Sequence, residues 1–384
     1  MAPNIALDAV DGFQTGSVVV DPMVGSGTVA IAAVAAGHSF YGFDKDPLAT
    51  LIAKVSTTPL DYEKVKELAY SILSKARQEN TSPQDLYWIR PGDETDKFIE
   101  FWFAEKQRSS LAGLALHLAT LSQTSACAEI DALKVALSRI IVTKESKASL
   151  ARDTSHSRPH KVAESSDYDV FKGFERSVLE LIKRHSKLSI LGQATIEHGD
   201  ARNMCALPNS SCDAIVSSPP YLNAIDYLRG HKLSLVWLGY AIPEIRRLRS
   251  DSVGAERATK EKTDEVAEII SGFGDISSLA PRQRSMIARY ALDLRKTADE
   301  AARIIKPEGT AVYVMGNSCL KGVYIDNATA LVKATSLSGF ELLDRSEREI
   351  PAANRYLPTP ANNNPLAGRM RKEIIVTFKR LQPL

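Results

Sequence analysis

The sequence predicts an α/β protein built around a mostly parallel sheet, and three observations carry that prediction. Ser17 to Val20 is a short apolar run of strand type, followed by the glycine-containing turn Asp21-Pro22-Met23-Val24-Gly25-Ser26-Gly27-Thr28. An apolar helical pattern comes next, ends at Gly37, and gives way to a second strand pattern from Ser39 to Phe43. Strand, glycine turn, helix and strand form the opening of a parallel unit. The same grammar returns downstream, with strand patterns at Ala194 to His198, Asp213 to Ser217, Thr310 to Gly316 and Glu373 to Phe378.

The segments between are helical. Apolar spacing of helical period covers Tyr62 to Ala76, Lys97 to Phe103, Leu111 to Leu121, Ala132 to Ile141 and Val170 to His185. Inside this region Lys144 to Lys161 is polar, basic and poor in apolar residues, and reads as an exposed loop. A second helical stretch, roughly 225 to 305, is interrupted by charged residues from Arg246 to Asp264 and closes with the amphipathic run Gln283 to Ile305. Lys306 to Gly309 reads as a turn, Asn327 to Leu337 as a helix, and the chain near Phe340 as a strand. The pattern sets a discontinuous sheet-bearing domain at 1–60 and 190–384, a helical insertion at 61–189, and a further helical region at 230–305.

Composition narrows the class. With 384 residues the chain can bury a full core as one large domain or two ordinary ones. Its longest apolar stretch, Val29 to Ala36, is too short and alanine-rich to cross a bilayer, and no signal-peptide pattern opens the chain, so a cytoplasmic protein is expected. The four cysteines contain no C-x-x-C pair, which argues against structural zinc and a disulfide framework. A net charge of only +2 means that any nucleic-acid affinity must come from a local patch.

The glycine turn is the first candidate site. A strand that turns sharply into a helix lets a ligand approach the backbone, and glycine leaves room there and tolerates positive φ. Gly25, Gly27 and Ala30 also match a dinucleotide fingerprint, with Asp44 about twenty residues on. A ligand-free βα turn explains those glycines equally well. A phosphate-binding P-loop does not, since no Gly-Lys-Ser/Thr follows. Asp44 and Asp200 each sit just after a strand pattern, at the edge where α/β sheets bind ligands, and each alone also suits a helix N-cap. The strand at 213–217 stops at Ser218-Pro219-Pro220-Tyr221. An exocyclic amine on a nucleobase is a poor nucleophile, because its lone pair is conjugated with the ring. Methylating it calls for acceptors aimed at its N–H bonds. The Ser218 side chain and the Pro219 carbonyl are candidates, stiffened by the prolines. Tyr221 would stack on a base extruded from the duplex. A proline-stiffened loop with a half-buried tyrosine is the plainer reading of those four residues taken alone.

Taken together, DPMVGSGT followed far downstream by SPPY resembles the amino-group DNA methyltransferases that use S-adenosylmethionine. GFDKDP and GDAR resemble that family's ribose-binding and adenine-binding positions, and KPEGTAVYVMGNS a later strand. The resemblance covers roughly 10–60 and 190–384. It implies a Rossmann-like class I methyltransferase fold: a mostly parallel seven-stranded sheet flanked by helices, with helical insertions. It places Asp21, Gly25 and Gly27 along the methionine part of the cofactor, with Pro22, Met23, Ser26 and Thr28 in the same turn. Asp44 would take the ribose and Asp200 the adenine, beside Ala201. Ser218, Pro219, Pro220 and Tyr221 would form the catalytic pocket, with no metal required. It further implies double-stranded DNA as substrate and a cognate restriction endonuclease as a companion. A serine at the first position of the tetrapeptide goes with cytosine N4, aspartate or asparagine with adenine N6. Adenine N6 methylation is the alternative reading, and a catalytically inactive cofactor-binding DNA-recognition subunit is another.

Three departures stand out. Met23 replaces the phenylalanine usual after the first Asp-Pro. The N-terminal cofactor-contacting element is reduced to Pro3 to Val10 or missing. The stretch between Asp44 and Asp200 is far longer than the family's and marks the helical insertion. Methylation at cytosine C5 would need a cysteine nucleophile, typically after proline, and no Pro-Cys pair exists. Hydride transfer leaves SPPY unexplained, and protein-glutamine methyltransferases carry Asn where this chain has Ser218. DNA phosphates would meet basic segments. Lys144, Lys147, Arg152, Arg158 and Lys161 form the first, in the inserted loop. Arg246, Arg247 and Arg249, with Arg257, Lys260 and Lys262, form the second, and Arg355, Tyr356 and Arg369 to Lys372 are further candidates. A solvated charged face is the ordinary alternative for each.

Overall fold

A computed structural model describes residues 1–152, 159–222, 226–254, 263–350 and 372–382. Arg158, Arg257, Lys260, Lys262, Arg355, Tyr356 and Arg369 to Arg371 lie outside the described residues. The chain divides into two compact units.

The sheet-bearing unit comprises Met1–Lys45, Leu191–Ala224 and Ser250–Leu384. It starts with α1 (Pro3–Asp11), β1 (Val18–Asp21), α2 (Thr28–Ala35) and β2 (Ser39–Asp44). Helix α2 is apolar on nearly every side, and Val29, Ala30, Ala32, Ala33 and Val34 are buried. The helical unit, Asp46–Ile190 and Ile225–Arg249, follows with α3 (Pro47–Thr57), α4 (Tyr62–Gln78), α5 (Glu94–Trp102), α6 (Glu105–Thr124) and α7 (Ala128–Ser138). A two-stranded ribbon, β3 (Ala151–Arg152) and β4 (His160–Lys161), precedes α8 (Val170–His185). Aspartate caps start α3, α4, α5 and α8, each accepting one or two backbone N–H groups.

The chain returns to the sheet with β5 (Gln193–His198) and β6 (Cys212–Ser217). It then forms α9 (Leu228–Leu235) and α10 (Ile242–Asp251), α11 (Asp264–Ser271) and α12 (Pro281–Ile304). Strands β7 (Ile305–Gly316), β8 (Ser318–Leu320) and β9 (Val323–Ile325), helix α13 (Asn327–Leu337), and strands β10 (Phe340–Glu349) and β11 (Lys372–Arg380) complete it.

The main sheet has seven strands in the order β10-β11-β7-β6-β1-β2-β5. Strands β5, β2, β1, β6 and β7 run parallel, and β11 runs antiparallel between β7 and β10. This is the mostly parallel α/β sheet flanked by helices that the sequence predicts. Parallel strands put their carboxyl ends on one edge, so Asp21, Asp44, His198, Ser217 and Gly316 all finish there.

Three sequence expectations need correction. The region 230–305 is not one body: α9 and most of α10 pack with the helical unit, and α11 and α12 with the sheet. The apolar side chains decide it, since Leu233, Val236 and Trp237 join the core of Phe103, Leu111 and Phe174, while Val266, Ile269, Tyr290 and Leu294 join that of Phe273 and Phe378. Lys144 to Lys161 is no plain exposed loop. Ala148, Ser149, Leu150 and Ala151 are buried, and Leu150 N–H donates to the Trp102 carbonyl at 2.8 Å. The turn expected at Lys306 to Gly309 is a bulge inside β7, where the register to β6 shifts and Glu308 takes φ of 67°.

Candidate active site at the carboxyl edge of the sheet

The turn after β1 is shaped by two glycines in the left-handed region, Gly25 at φ 52° and Gly27 at φ 89°. Gly25 N–H donates to Asp44 Oδ2 at 2.9 Å, tying the first βα turn to the end of β2. A Cβ built on Gly25 would meet no atom within 4 Å, so the turn faces open space. Asp21 is buried and accepts from Met23 N–H at 3.0 Å and from the Ser217 hydroxyl at 2.6 Å. Burial pushes its carboxyl up to about 7 against the pull of those two hydrogen bonds.

The tetrapeptide loop is held from three directions. Ser218 Oγ donates to the Val314 carbonyl on β7 at 3.0 Å. Tyr290, buried on α12, donates its hydroxyl to the Pro220 carbonyl at 2.8 Å, and burial pushes that phenol's pKa up. Leu222 N–H donates to Asn327 Oδ1 at 3.2 Å, while Asn327 Nδ2 donates to the Gly316 carbonyl and Ser318 Oγ, each at 3.0 Å. Pro219 is buried, and Pro220 and Tyr221 are half-buried. A loop fixed in this way presents its remaining acceptors in a set direction.

Asp200 sits in an ion network. Its Oδ1 accepts from Arg202 N–H and Nε, both at 3.0 Å, and its Oδ2 from Arg202 Nη2 at 2.8 Å and Lys45 Nζ at 2.9 Å. Burial opposes ionisation, but the bonds from Arg202 and Lys45 outweigh it and hold the carboxyl down at about 2. Arg202 continues through Nη1 to the buried Asp293 at 2.7 Å. Asp293 also accepts from Arg289 and from Gly254 N–H.

The structure therefore brings Asp21, Gly25, Gly27, Asp44, Asp200 and Ser218 to Tyr221 to one edge of one sheet. Ser217, Tyr290, Asn327, Lys45, Arg202 and Asp293 support them and were not singled out from sequence. Arg202 stood inside GDAR and was legible there. Tyr290 and Asn327 had no local signal, because each reaches the loop from a distant helix.

The described DNA candidates lie in the helical unit, apart from Lys372 on β11. Lys144 is exposed, Lys147 Nζ lies 5.8 Å from the Tyr168 ring centroid, and Arg152 donates to Ser146 Oγ at 2.8 Å. Ser146 and Tyr168, the neighbours of Arg152 and Lys147, help to line a cleft of about 330 Å³ together with Ser149, Leu150, Val162, Ser166 and Asp167. Lys161 pairs with Glu164 at 2.7 Å, and Arg246 and Arg249 pair with Glu94 and Asp226. Arg247 is exposed on α10. Among the described residues no helix is long and apolar enough to cross a membrane.

No family model matches the chain. The chain is 23% identical to M.MvaI, a Type II methyltransferase of Kocuria varians, over 99% of its own length and 88% of that protein. This chain is homologous to Type II methyltransferases. M.AvaI of Nostoc sp. is 25% identical over 64% of this chain, and M.BsoBI of Geobacillus stearothermophilus 24% over 67%. The chain spans about half the length of those two Type II methyltransferases, at 53% and 54%. Among solved structures, a SAM-dependent methyltransferase from Methanosarcina mazei is 8% identical with a TM-score of 0.35, over 100% of this chain and 99% of that one.

Proposed function

We propose that this chain is an S-adenosylmethionine-dependent DNA methyltransferase acting on an exocyclic amino group of a flipped base, cytosine N4 before adenine N6. The observation that carries the reading is the convergence of the open glycine turn, Asp44 and the anchored Ser218–Tyr221 loop on one sheet edge. The similarity to M.MvaI over nearly the whole chain supports it.

The residues fit the cofactor. Gly25 has room for a ligand against its backbone, the turn after β1 would take the methionine part, and Asp44 the ribose. When bound, S-adenosylmethionine supplies a methyl group on a sulfonium, already a good leaving group. The protein's part is then positioning and polarisation. Tyr221 stacks on the extruded base. The Pro219 carbonyl and Ser218 Oγ accept the two amine N–H bonds, so the nitrogen can become tetrahedral. The Ser218 proton is committed to the Val314 carbonyl, which leaves its oxygen lone pairs for the substrate. Neither a hydroxyl nor a carbonyl oxygen takes up a further proton at neutral pH, so the proton lost by the methylated amine passes to water.

Ser218 is also the ground for preferring cytosine, since serine at this position accompanies N4 in the family that the tetrapeptide resembles. DNA phosphates are taken by Lys144, Lys147 and Arg152, which have no carboxylate partner among the described residues. Lys161, Arg246 and Arg249 each bring a compensating acid. A restriction endonuclease of the same sequence specificity is the proposed companion.

The test is to incubate the protein with labelled S-adenosylmethionine and unmethylated DNA, then identify the modified nucleoside. N4-methylcytosine is expected. N6-methyladenine would move the target, label only in RNA or protein would overturn the substrate, and cofactor binding without any transfer would leave a recognition subunit. Tyr221→Ala should sharply reduce turnover while sparing cofactor affinity.

A further inference from the structure

We propose that Asp200 does not read the adenine of the cofactor but is a positioning residue, the anchor of an ion clasp that sets the Asp44-Lys45 loop. The inference rests on the cofactor reading given above. It departs from the role that GDAR implies by resemblance, and the reason is acceptor capacity.

An ionised carboxylate offers about four lone-pair sites. Asp200 has four donors on it: Arg202 N–H, Arg202 Nε, Arg202 Nη2 and Lys45 Nζ, two on each oxygen and all within 3.0 Å. An adenine amino group would have to displace one of them. Those donors are themselves engaged elsewhere. Arg202 Nη2 also reaches the Asp251 carbonyl at 2.6 Å, Nη1 is bonded to Asp293, and Lys45 also pairs with Asp251. His198 adds a ring nitrogen 3.0 Å from the Lys45 carbonyl oxygen. Lys45 is thus held from its side chain and its backbone, directly after the aspartate assigned to the ribose. The low carboxyl pKa agrees with a group whose charge is already fully matched. Asp293 anchors the far end while 1% exposed, which makes the clasp a rigid support rather than a surface ion pair.

The experiment measures binding of S-adenosylhomocysteine and of its counterpart with a 6-oxo group in place of the 6-amino group. The proteins are wild type, Asp200→Asn and Asp293→Asn, and ligand-free thermal midpoints are recorded for all three. Asp293→Asn loosens the clasp without touching Asp200. The clasp predicts that both variants lose affinity for both ligands by the same factor, about tenfold. The amino/oxo preference stays at its wild-type ratio, and both midpoints fall. Collapse of that ratio in Asp200→Asn with its retention in Asp293→Asn would overturn the proposal, and so would an unchanged midpoint in Asp200→Asn. If wild type binds neither ligand, the cofactor reading fails instead, and the midpoints alone decide the clasp. If Asp200→Asn does not fold, Asp293→Asn decides: a changed ratio there counts against a uniform positioning role.

Discussion

Asp21 shows how one buried carboxylate carries a pH signature. In the folded chain burial holds its proton up to about pH 7, whereas in an unfolded chain an aspartate releases it near about 4. Between those values the unfolded state gives up its proton first. The contribution of Asp21 to stability is therefore full below about pH 4 and is lost as pH rises through about 7. Asn in its place cannot ionise and still accepts from Ser217. Thermal midpoints of the ligand-free Asp21→Asn protein and wild type, compared at several pH values, should diverge from pH 4 to 7, with the variant the more stable above 7. A difference that does not vary with pH would mean that the carboxyl titrates normally. Tyr221 is the other residue whose role is individual. Its ring is half-buried and packs against the core of the sheet-bearing unit, so the thermal midpoint of Tyr221→Ala, recorded beside its turnover, separates lost packing from lost stacking.

Elements matter where one immobilises another. Helix α12 contributes Tyr290 to the Pro220 carbonyl and Asp293 to the Arg202 guanidinium, so a single helix supports both the Ser218–Tyr221 loop and the Asp200 turn. Tyr290→Phe keeps the packing but leaves that carbonyl without its donor, a change worth about 1–3 kcal/mol of stability. Turnover should fall about tenfold or more, because misplaced reacting groups lose pre-paid orientation. Cofactor affinity should hold, and steady-state kinetics beside a binding isotherm separates the two. Unchanged turnover would show that the loop is rigid without α12. Asn327 plays the matching part from α13. Its amide spans the loop backbone and the end of β7, a bridge that alanine cannot make.

For the whole molecule the question is where DNA is held. Removing one cation that neutralises a phosphate flattens the slope of log affinity against log salt by about 0.9. Replacing Lys144 and Arg152 together by alanine should flatten that slope by about twice as much. Arg246→Ala should leave it nearly unchanged, since Glu94 already offsets that charge. Filter binding or anisotropy across a salt series gives the slopes, and equal effects from the two sets would reject the preference for Lys144, Lys147 and Arg152.

By itself the sequence determined the α/β class, the helical insertion and the residues at the sheet edge. Those features are local: an apolar run ended by glycine or proline, an aspartate one step beyond a strand, an acid capping a helix. Val170 to His185 and Asn327 to Leu337 could be read to the residue because a cap and a glycine or charged turn bracket each. Only the tertiary structure decided which helices share a core, that the basic loop carries a buried stretch from Ala148 to Ala151, and what each candidate side chain is bonded to. Tyr290, Asn327 and Asp293 act across long sequence separations, and no spacing rule records a contact that chain folding alone creates. Asp200 is the clearest case. Its place after a strand was legible, but its four acceptor sites were filled by partners that only the folded chain brings within reach.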